Sequence, residues 1–582
     1  MRLPKMNVPA ASRTVTEIFG GYNHNLRIGD GEFYDMKNLT SAYYPILSPR
    51  GKRGIYKSKV DEPRGLLAKD ALCYVDGGTL YIGEYAVNGL TLDPGTEKTL
   101  VSMGAYIIIL PDKKYVNSTD TSDCGNIEAS VTTTLEVTFS LCRLDGSTYA
   151  ESIGTEEPET PTDKQYWIDT STIPHTLKQY SEKSEMWVSV PTTYIKISAP
   201  GIGAPFSQYD GVTISGIKGK TQNADLDAID GSFVVWERGN DYLVILGMLD
   251  KTASINIPVT VARKMPETDF IIESENRLWG CRYGLADGKP VNEIYASKQG
   301  DFKNWNCFMG LSTDSYVASV GTDGAFTGAF TYLGYPHFFK ENFVHKVYGS
   351  YPANYQIQTT ACRGVEKGSG KSLAMVNETL FYKAKTGICA YDGSLPTEIS
   401  TALGEVHYSD AVACAHGNKY YVSMKDESGV FTLFVFDVAR GLWHKEDNTQ
   451  VDAFSSCRND LCYIEHGKSG IRTIIGGREE EGKIRWMAET GIVSAEYPDR
   501  KYVSALNVRM SLDLGSTVSF FIQYDSMGEW EHICTRTATS LYSFAMPILP
   551  RRCDHFRLRI EGKGDAKIYS ITKTVEQGSD TR

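Results

Sequence analysis

This sequence predicts an all-β chain built around a β-propeller of six or seven blades, with a β-rich insertion and a C-terminal antiparallel β-sandwich-like domain. The first reason is a repeat. Residues 336–348 read PHFFKENFVHKVY, residues 378–393 read ETLFYKAKTGICAYDG, residues 418–443 hold NKYYVSM and TLFVFDVARGLW, and residues 459–475 hold NDLCYIE and GIRTII. Each copy is a strand with an apolar or aromatic centre, a turn and a second strand. The central residues Phe339, Phe381, Tyr421 and Cys462 are spaced 42, 40 and 41 residues apart. A β-repeat of roughly 40–50 residues marks propeller blades, small sheets that bury their faces only against neighbours packed around an axis. The second reason is composition: 35 Tyr and 54 Gly among many short β-like runs favour strands and tight turns. The third is the lack of any long stretch with 3.6-residue apolar periodicity and helix caps.

At 582 residues the chain is too long for one ordinary core, and its 41% hydrophobic content suffices to bury several. The net charge of −11 argues against a nucleic-acid clamp, which needs a basic face. It is compatible with a passive wall beside DNA, because tight phosphate binding requires Lys and Arg to displace counterions. The 12 cysteines form no C-x-x-C pair and several fall in predicted strands, so we expect reduced core thiols in a protein assembled in a cytoplasm. MRLPKMNVPAASR at the N-terminus has no apolar core of a secretory signal, and no run of 18 apolar residues suggests a membrane span.

Taken in order, residues 1–55 read as an arm. Phe19-Gly20-Gly21-Tyr22-Asn23 is a turn, EFYDMKNLT (residues 32–40) is a short amphipathic piece, and YYPILSPRGKR (residues 43–53) holds two prolines that stop regular pairing. Two readings stand: a solvated strap closing the propeller, or an arm that docks on a neighbouring subunit through Tyr44, Pro45, Pro49, Arg50 and Arg53. Because this segment shows few core residues, its removal is expected to abolish docking and leave folding intact.

The propeller is assigned to residues 56–116 and 228–495. Hairpins at residues 66–83, through Asp76-Gly77-Gly78, and at residues 100–116 supply the first blades. Residues 117–227 break the rhythm and read as an inserted β-rich domain, including the acidic Pro-rich loop EEPETPTDK (residues 156–164). GSFVVWERGNDYLVIL (residues 231–246) resumes it, so the strands flanking the insertion are expected to complete one blade. Anchors at Cys73, Ile108, Trp279, Phe339, Phe381, Tyr421 and Cys462 mark seven candidate blades. Residues 500–582 alternate as five strands of a small antiparallel sandwich, and residues 574–582 look like a polar tail.

No catalytic or cofactor motif is visible. The 10 His residues form no H-E-x-x-H, and there is no G-x-S-x-G elbow. GSGKS at residues 368–372 ends like a phosphate-binding loop but has Val365 where the first Gly is needed, and it precedes a blade, not a helix. YASKQGDFKNW (residues 295–305) loosely matches the structural turn of sialidase-type propellers, with Trp305 packed inward. Trp279, Trp305 and Trp443 could form a sugar platform, but their blade positions suggest core packing. With 71 Asp and Glu, chance carboxylate pairs of the kind glycosidases need carry no weight.

The N-terminal module adds a resemblance. Phe19-Gly20-Gly21, Asp35-Met36-Lys37-Asn38-Leu39 and Tyr44-Pro45-Ile46-Leu47-Ser48-Pro49-Arg50 resemble the start of bacteriophage tail stabilisation proteins. Arg64-Gly65-Leu66, Gly77-Gly78-Thr79-Leu80-Tyr81-Ile82-Gly83 and Ile294-Tyr295-Ala296-Ser297 with Asp301 and Trp305 are similar too. The resemblance covers most of the chain outside residues 117–227. It implies a structural virion protein of the tail-nozzle type, made in the host cytoplasm. In that family, copies form a ring, here expected as a hexamer, beneath the portal and adaptor and beside tail fibres. DNA is retained there and ejected through the channel without sequence recognition. It further implies no enzymatic activity, no cofactor and no metal. The alternatives are a tail-borne glycan-binding or glycan-cleaving propeller, and a host scaffold propeller for protein partners.

Overall fold

Seven four-stranded antiparallel sheets follow one another around a closed ring among the described residues. The structure is a computed structural model, and it describes residues 11–221, 224–286, 288–474, 480–493 and 500–577. The sheets begin at strands Pro63–Ala68, Thr99–Met103, Phe270–Ser274, Gly328–Tyr332, Ala374–Val376, Tyr408–His416 and Val451–Cys457. These first strands lie innermost, and the last sits beside the first. Each of the seven anchor residues falls in the second strand of a different blade. Those strands are buried along most of their length, as in Thr379–Ala384 and Asp460–Glu465, because a blade is covered on both faces by its neighbours.

The last blade holds only three strands from its own stretch of chain. Its fourth, outermost strand is Gly54–Lys57, which pairs antiparallel with Ile471–Thr473. The ring is therefore closed by the segment read from sequence as an arm. Residues 1–10 of that segment, Ile475 at the end of the repeat and residues 578–582 of the expected tail lie outside the described residues.

The insertion differs from its expected bounds of 117–227. Cys124–Asn126 is the outer strand of the second blade, and the inserted unit runs from Ala129–Thr132 to Thr260–Arg263. It joins two complete blades and splits none. The hairpin formed by Gly231–Gly239 and Tyr242–Leu246 is the centre of its eight-stranded sheet, so those strands belong to the insertion and not to a blade. Periodicity could not separate them, since a hairpin in either sheet alternates in the same way. A smaller sheet, Glu151–Gly154 to Met186–Ser189, sits within the unit.

The insertion is keyed to the propeller by a buried polar cluster. Asp210 is ion-paired with Arg263 and accepts from Asn304 Nδ2 at 2.9 Å. Asn304 Oδ1 accepts from the Gly211 amide at 2.8 Å, and the Arg263 guanidinium donates to the Ile127 carbonyl. A Cβ on Gly211 would lie 2.3 Å from the Asn306 carbonyl oxygen, so only glycine permits this approach.

The C-terminal residues form a sandwich of two half-sheets that share one long strand, Lys501–Tyr524. Its first half pairs with Ala566–Gln577, its second half with Phe556–Lys563, and Glu531–Ala545 follows it along the other side through both halves. Residues 574–577 of the expected tail are thus strand. N-terminal strands complete both half-sheets: Ala11–Thr16 pairs with Ala566–Gln577, and Glu32–Lys37 with Arg485–Thr490. Phe19, Tyr22, Phe33, Met36, Leu39 and Leu47 are all buried in one core with Phe434, Trp443, Trp486 and Phe520. That core is continuous from the sandwich into the sixth blade.

Candidate functional site

Two concavities among the described residues lie against the innermost strands of the propeller. One, of about 260 Å³, is lined by Arg64, Glu97, Lys98, Asp452 and Phe454. A second, of about 590 Å³, is lined by Phe270, Phe326, Lys367, Asp410, Lys425 and Phe431. Lys371 lines both. Its Nζ donates to Glu97 Oε2 at 2.9 Å and to the Asp452 carbonyl at 3.1 Å, so it crosses the axis and divides the funnel in two. The charges are balanced: Asp410 is ion-paired with Lys425, Glu97 with Lys371, and Asp452 lies 2.9 Å from His466 Nδ1.

Lys371 belongs to the GSGKS run. That run forms a 3-10 turn at Gly370–Ser372. Ser372 Oγ accepts from the Lys383 amide and Ser369 Oγ from the Ala411 amide, so the run fastens two blades together. Trp305 is buried with its indole donating to the Phe302 carbonyl. Trp279 and Trp443 are also buried, and the three tryptophans offer no platform to a sugar.

The residues expected to form a docking arm are engaged within the chain, which corrects that expectation. Arg50 and Arg53 are only 5% and 8% exposed. Arg50 holds Glu481 through Nη1 at 2.7 Å and Nη2 at 2.9 Å. Arg53 donates to Glu446 Oε2 at 2.6 Å and Thr449 Oγ1 at 2.8 Å. Burial would raise the Asp447 carboxyl, yet the Arg53 guanidinium, Thr449 and Arg50 hold it below the usual carboxylate range. Pro49 pairs with Leu39 in a two-stranded ribbon, the Pro45 carbonyl accepts from the Phe19 amide, and the Tyr44 ring lies under the Arg440 guanidinium. Sequence offered Arg50 and Arg53 as residues of a strap or of an arm that docks on a neighbouring subunit. What sequence could not show is that the partners are Glu446, Asp447 and Glu481 of the same chain.

A different surface is open. Glu531–Ala545 pairs only with Lys501–Tyr524 among the described residues, so one backbone edge of this fifteen-residue strand is free. Leu541 and Tyr542 on it are exposed, as are Leu514, Met527 and Leu549 around it. At the opposite margin of the same half-sheet, Ala11–Thr16 pairs only with Ala566–Gln577 among the described residues. Edges this long are templates for pairing with another chain. Strand order, which a sequence pattern does not record, is needed to recognise such an edge.

The sequence matches no protein-family model and no curated protein. Solved structures are similar at the level of fold. An exo-β-1,3-galactanase from Phanerochaete chrysosporium covers 52% of this chain and 94% of its own, at 8% identity and a TM-score of 0.21. An engineered family 43 glycoside hydrolase with endo-xylanase and exo-arabinofuranosidase activity covers 53% and 96%, at 8% identity and a TM-score of 0.20. A family 43 arabinoxylan arabinofuranohydrolase from Bacillus subtilis covers 68% and 92%, at 8% identity and a TM-score of 0.14. These neighbours are enzymes, and the expectation of a chain without enzymatic activity is corrected accordingly: it is not maintained. Likeness at this identity and TM-score carries no argument about substrate or chemistry. The feature shared with them is the β-propeller.

Proposed function

We propose that this chain is a ring-forming structural component of a bacteriophage tail, assembled in the host cytoplasm and placed beneath the portal and adaptor as part of the tube through which DNA leaves. The motifs at residues 19–21, 35–39 and 44–50 motivate the reading. The observation that carries it is the pair of free edges at opposite margins of one half-sheet. A contact between the Glu531–Ala545 edge of one copy and the Ala11–Thr16 edge of the next is head-to-tail, and such contacts close into rings when the rotation per copy divides a full turn. Main-chain pairing of this kind adds a strand to each neighbour's sheet. The acidic net charge of −11 suits a wall that DNA slides past.

The test is mass photometry and negative-stain imaging of the purified chain, beside a Tyr542→Lys/Ser543→Lys variant whose added charges blunt the edge. Rings or discrete multimers near six copies, lost in the variant, support the reading. A wild-type chain and variant with identical mass at every concentration overturn it.

The axial funnel favours a second reading, a glycan-binding or glycan-cleaving propeller. Its larger part offers a concave site where Asp410 and Asp452 meet Phe270, Phe326 and Phe431, carboxylates set in an apolar wall as in many ligand sites. A glycan array read for binding and for released sugar discriminates. Signal lost on Asp410→Asn or Asp452→Asn supports this reading, and an array blank for the wild-type chain removes it.

A further inference from the structure

The inserted unit gathers three metal-ligating side chains from three separate pieces of chain. His175 immediately precedes the strand Thr176–Ser181 of the small sheet, Asp225 lies in the short helix Ala224–Asp227, and Asp250 follows the strand Tyr242–Leu246 of the large sheet. One ligand atom of each lies within 4.8 Å of the other two. His175 Nδ1 and Asp250 Oδ2 are 4.0 Å apart. That is too long for a hydrogen bond and close to the separation of two ligands that share one ion, since ligands at about 2.0–2.2 Å from a metal stand roughly 3–4 Å from each other. The other carboxylate oxygen, Asp250 Oδ1, is buried and has no hydrogen-bond partner. A buried carboxylate oxygen without a donor is costly, and a cation at this point would satisfy it.

We propose that His175, Asp225 and Asp250 form a binding site for one divalent transition-metal ion of the Zn²⁺ or Mn²⁺ type. The donor set decides the class. One imidazole with two carboxylates suits Mn²⁺, Fe²⁺, Co²⁺ and Zn²⁺, whereas Ca²⁺ prefers six to eight oxygens and Mg²⁺ keeps most of its waters. Three protein ligands leave positions for water. The placement gives the ion a mechanical role. It ties the small sheet, through His175, to the large sheet, through Asp250, at a point where the two are linked by loops. Nothing in the proposed tail role or in the glycan reading requires it, and it stands or falls separately.

The experiment uses the untagged full chain after chelation and dialysis. Isothermal titration with ZnCl₂ and with MnCl₂, and visible absorption after Co²⁺ addition, read binding directly. Thermal unfolding with and without ion reads the coupling to folding, since an ion bound only by the native state raises the midpoint. We expect saturable binding of one ion per chain and a raised midpoint. At least a tenfold loss of affinity is expected in His175→Gln and Asp250→Asn, with circular dichroism unchanged. Absence of one-to-one binding by the wild-type chain overturns the proposal. Binding that persists undiminished in both folded variants overturns it equally.

Discussion

Replacing Arg53 by Ala is expected to unfold the junction between the N-terminal strap and the sixth blade far more readily than any surface substitution. The Arg53 guanidinium donates to Glu446, Asp447 and Thr449, and Glu446 is itself buried at 4% exposure. Removing one partner of a buried pair costs about 3–5 kcal/mol, mostly because the remaining charge is left without compensation. Arg50 Nε, 3.6 Å from the same carboxylate, offsets part of that, which puts the expected loss near 3 kcal/mol. Glu446→Gln should cost a similar amount. The double substitution should cost less than the sum, with a coupling of about 2 kcal/mol. Urea unfolding followed by tryptophan fluorescence reports it, because Trp443 lies three residues before Glu446, is buried, and donates to the Ile399 carbonyl. Two single variants that each lose under about 1 kcal/mol would refute the reasoning, and would return Arg50 and Arg53 to the role of free docking residues.

Deletion of residues 1–55 should abolish soluble folded protein, the opposite of what the arm reading expects. The strap buries Phe19, Tyr22, Phe33, Met36, Leu39 and Leu47, at about 1.5–3 kcal/mol each, and part of the strand that closes the ring goes with it. A soluble truncated chain with native circular dichroism would contradict this. Acid should destabilise the propeller well above the usual carboxylate range. Burial pushes His337 and His345 down to about 4 and His444 to about 3, with Lys346, Lys340 and Lys419 adding to the depression at each in turn. Below the unfolded value near 6.5 only the unfolded chain takes up these protons, so stability is fully present above pH 6.5 and is lost progressively down to pH 4, by up to about 3 kcal/mol per histidine. Unfolding midpoints between pH 7.5 and 4.5 measure this, His345→Gln should flatten the profile, and a profile that stays level over that range would show the imidazoles to be accessible.

The seven blades were legible because a blade is local. In six of them the four strands are consecutive, and the seventh takes only its outermost strand from elsewhere; the second strand of each is largely buried, and Phe339, Phe381, Tyr421 and Cys462 announce themselves by hydrophobicity and spacing, Cys73, Ile108 and Trp279 by hydrophobicity. The sandwich strands after residue 500 were legible for the same reason, though the bend that merges residues 501–524 into one strand was not. Tertiary structure alone decided the non-local pairings. Gly54–Lys57 reaches Ile471–Thr473, Ala11–Thr16 reaches Ala566–Gln577, and Arg53 meets Glu446. None of these leaves a periodic trace, because a strand's pattern records which face is buried and not which strand lies beside it. The same limit placed the Gly231–Gly239 hairpin in the wrong sheet and kept the free edge at Glu531–Ala545 from view. Sequence determined what the sheets are made of, and the closing of the chain upon itself determined which edges are left for another molecule.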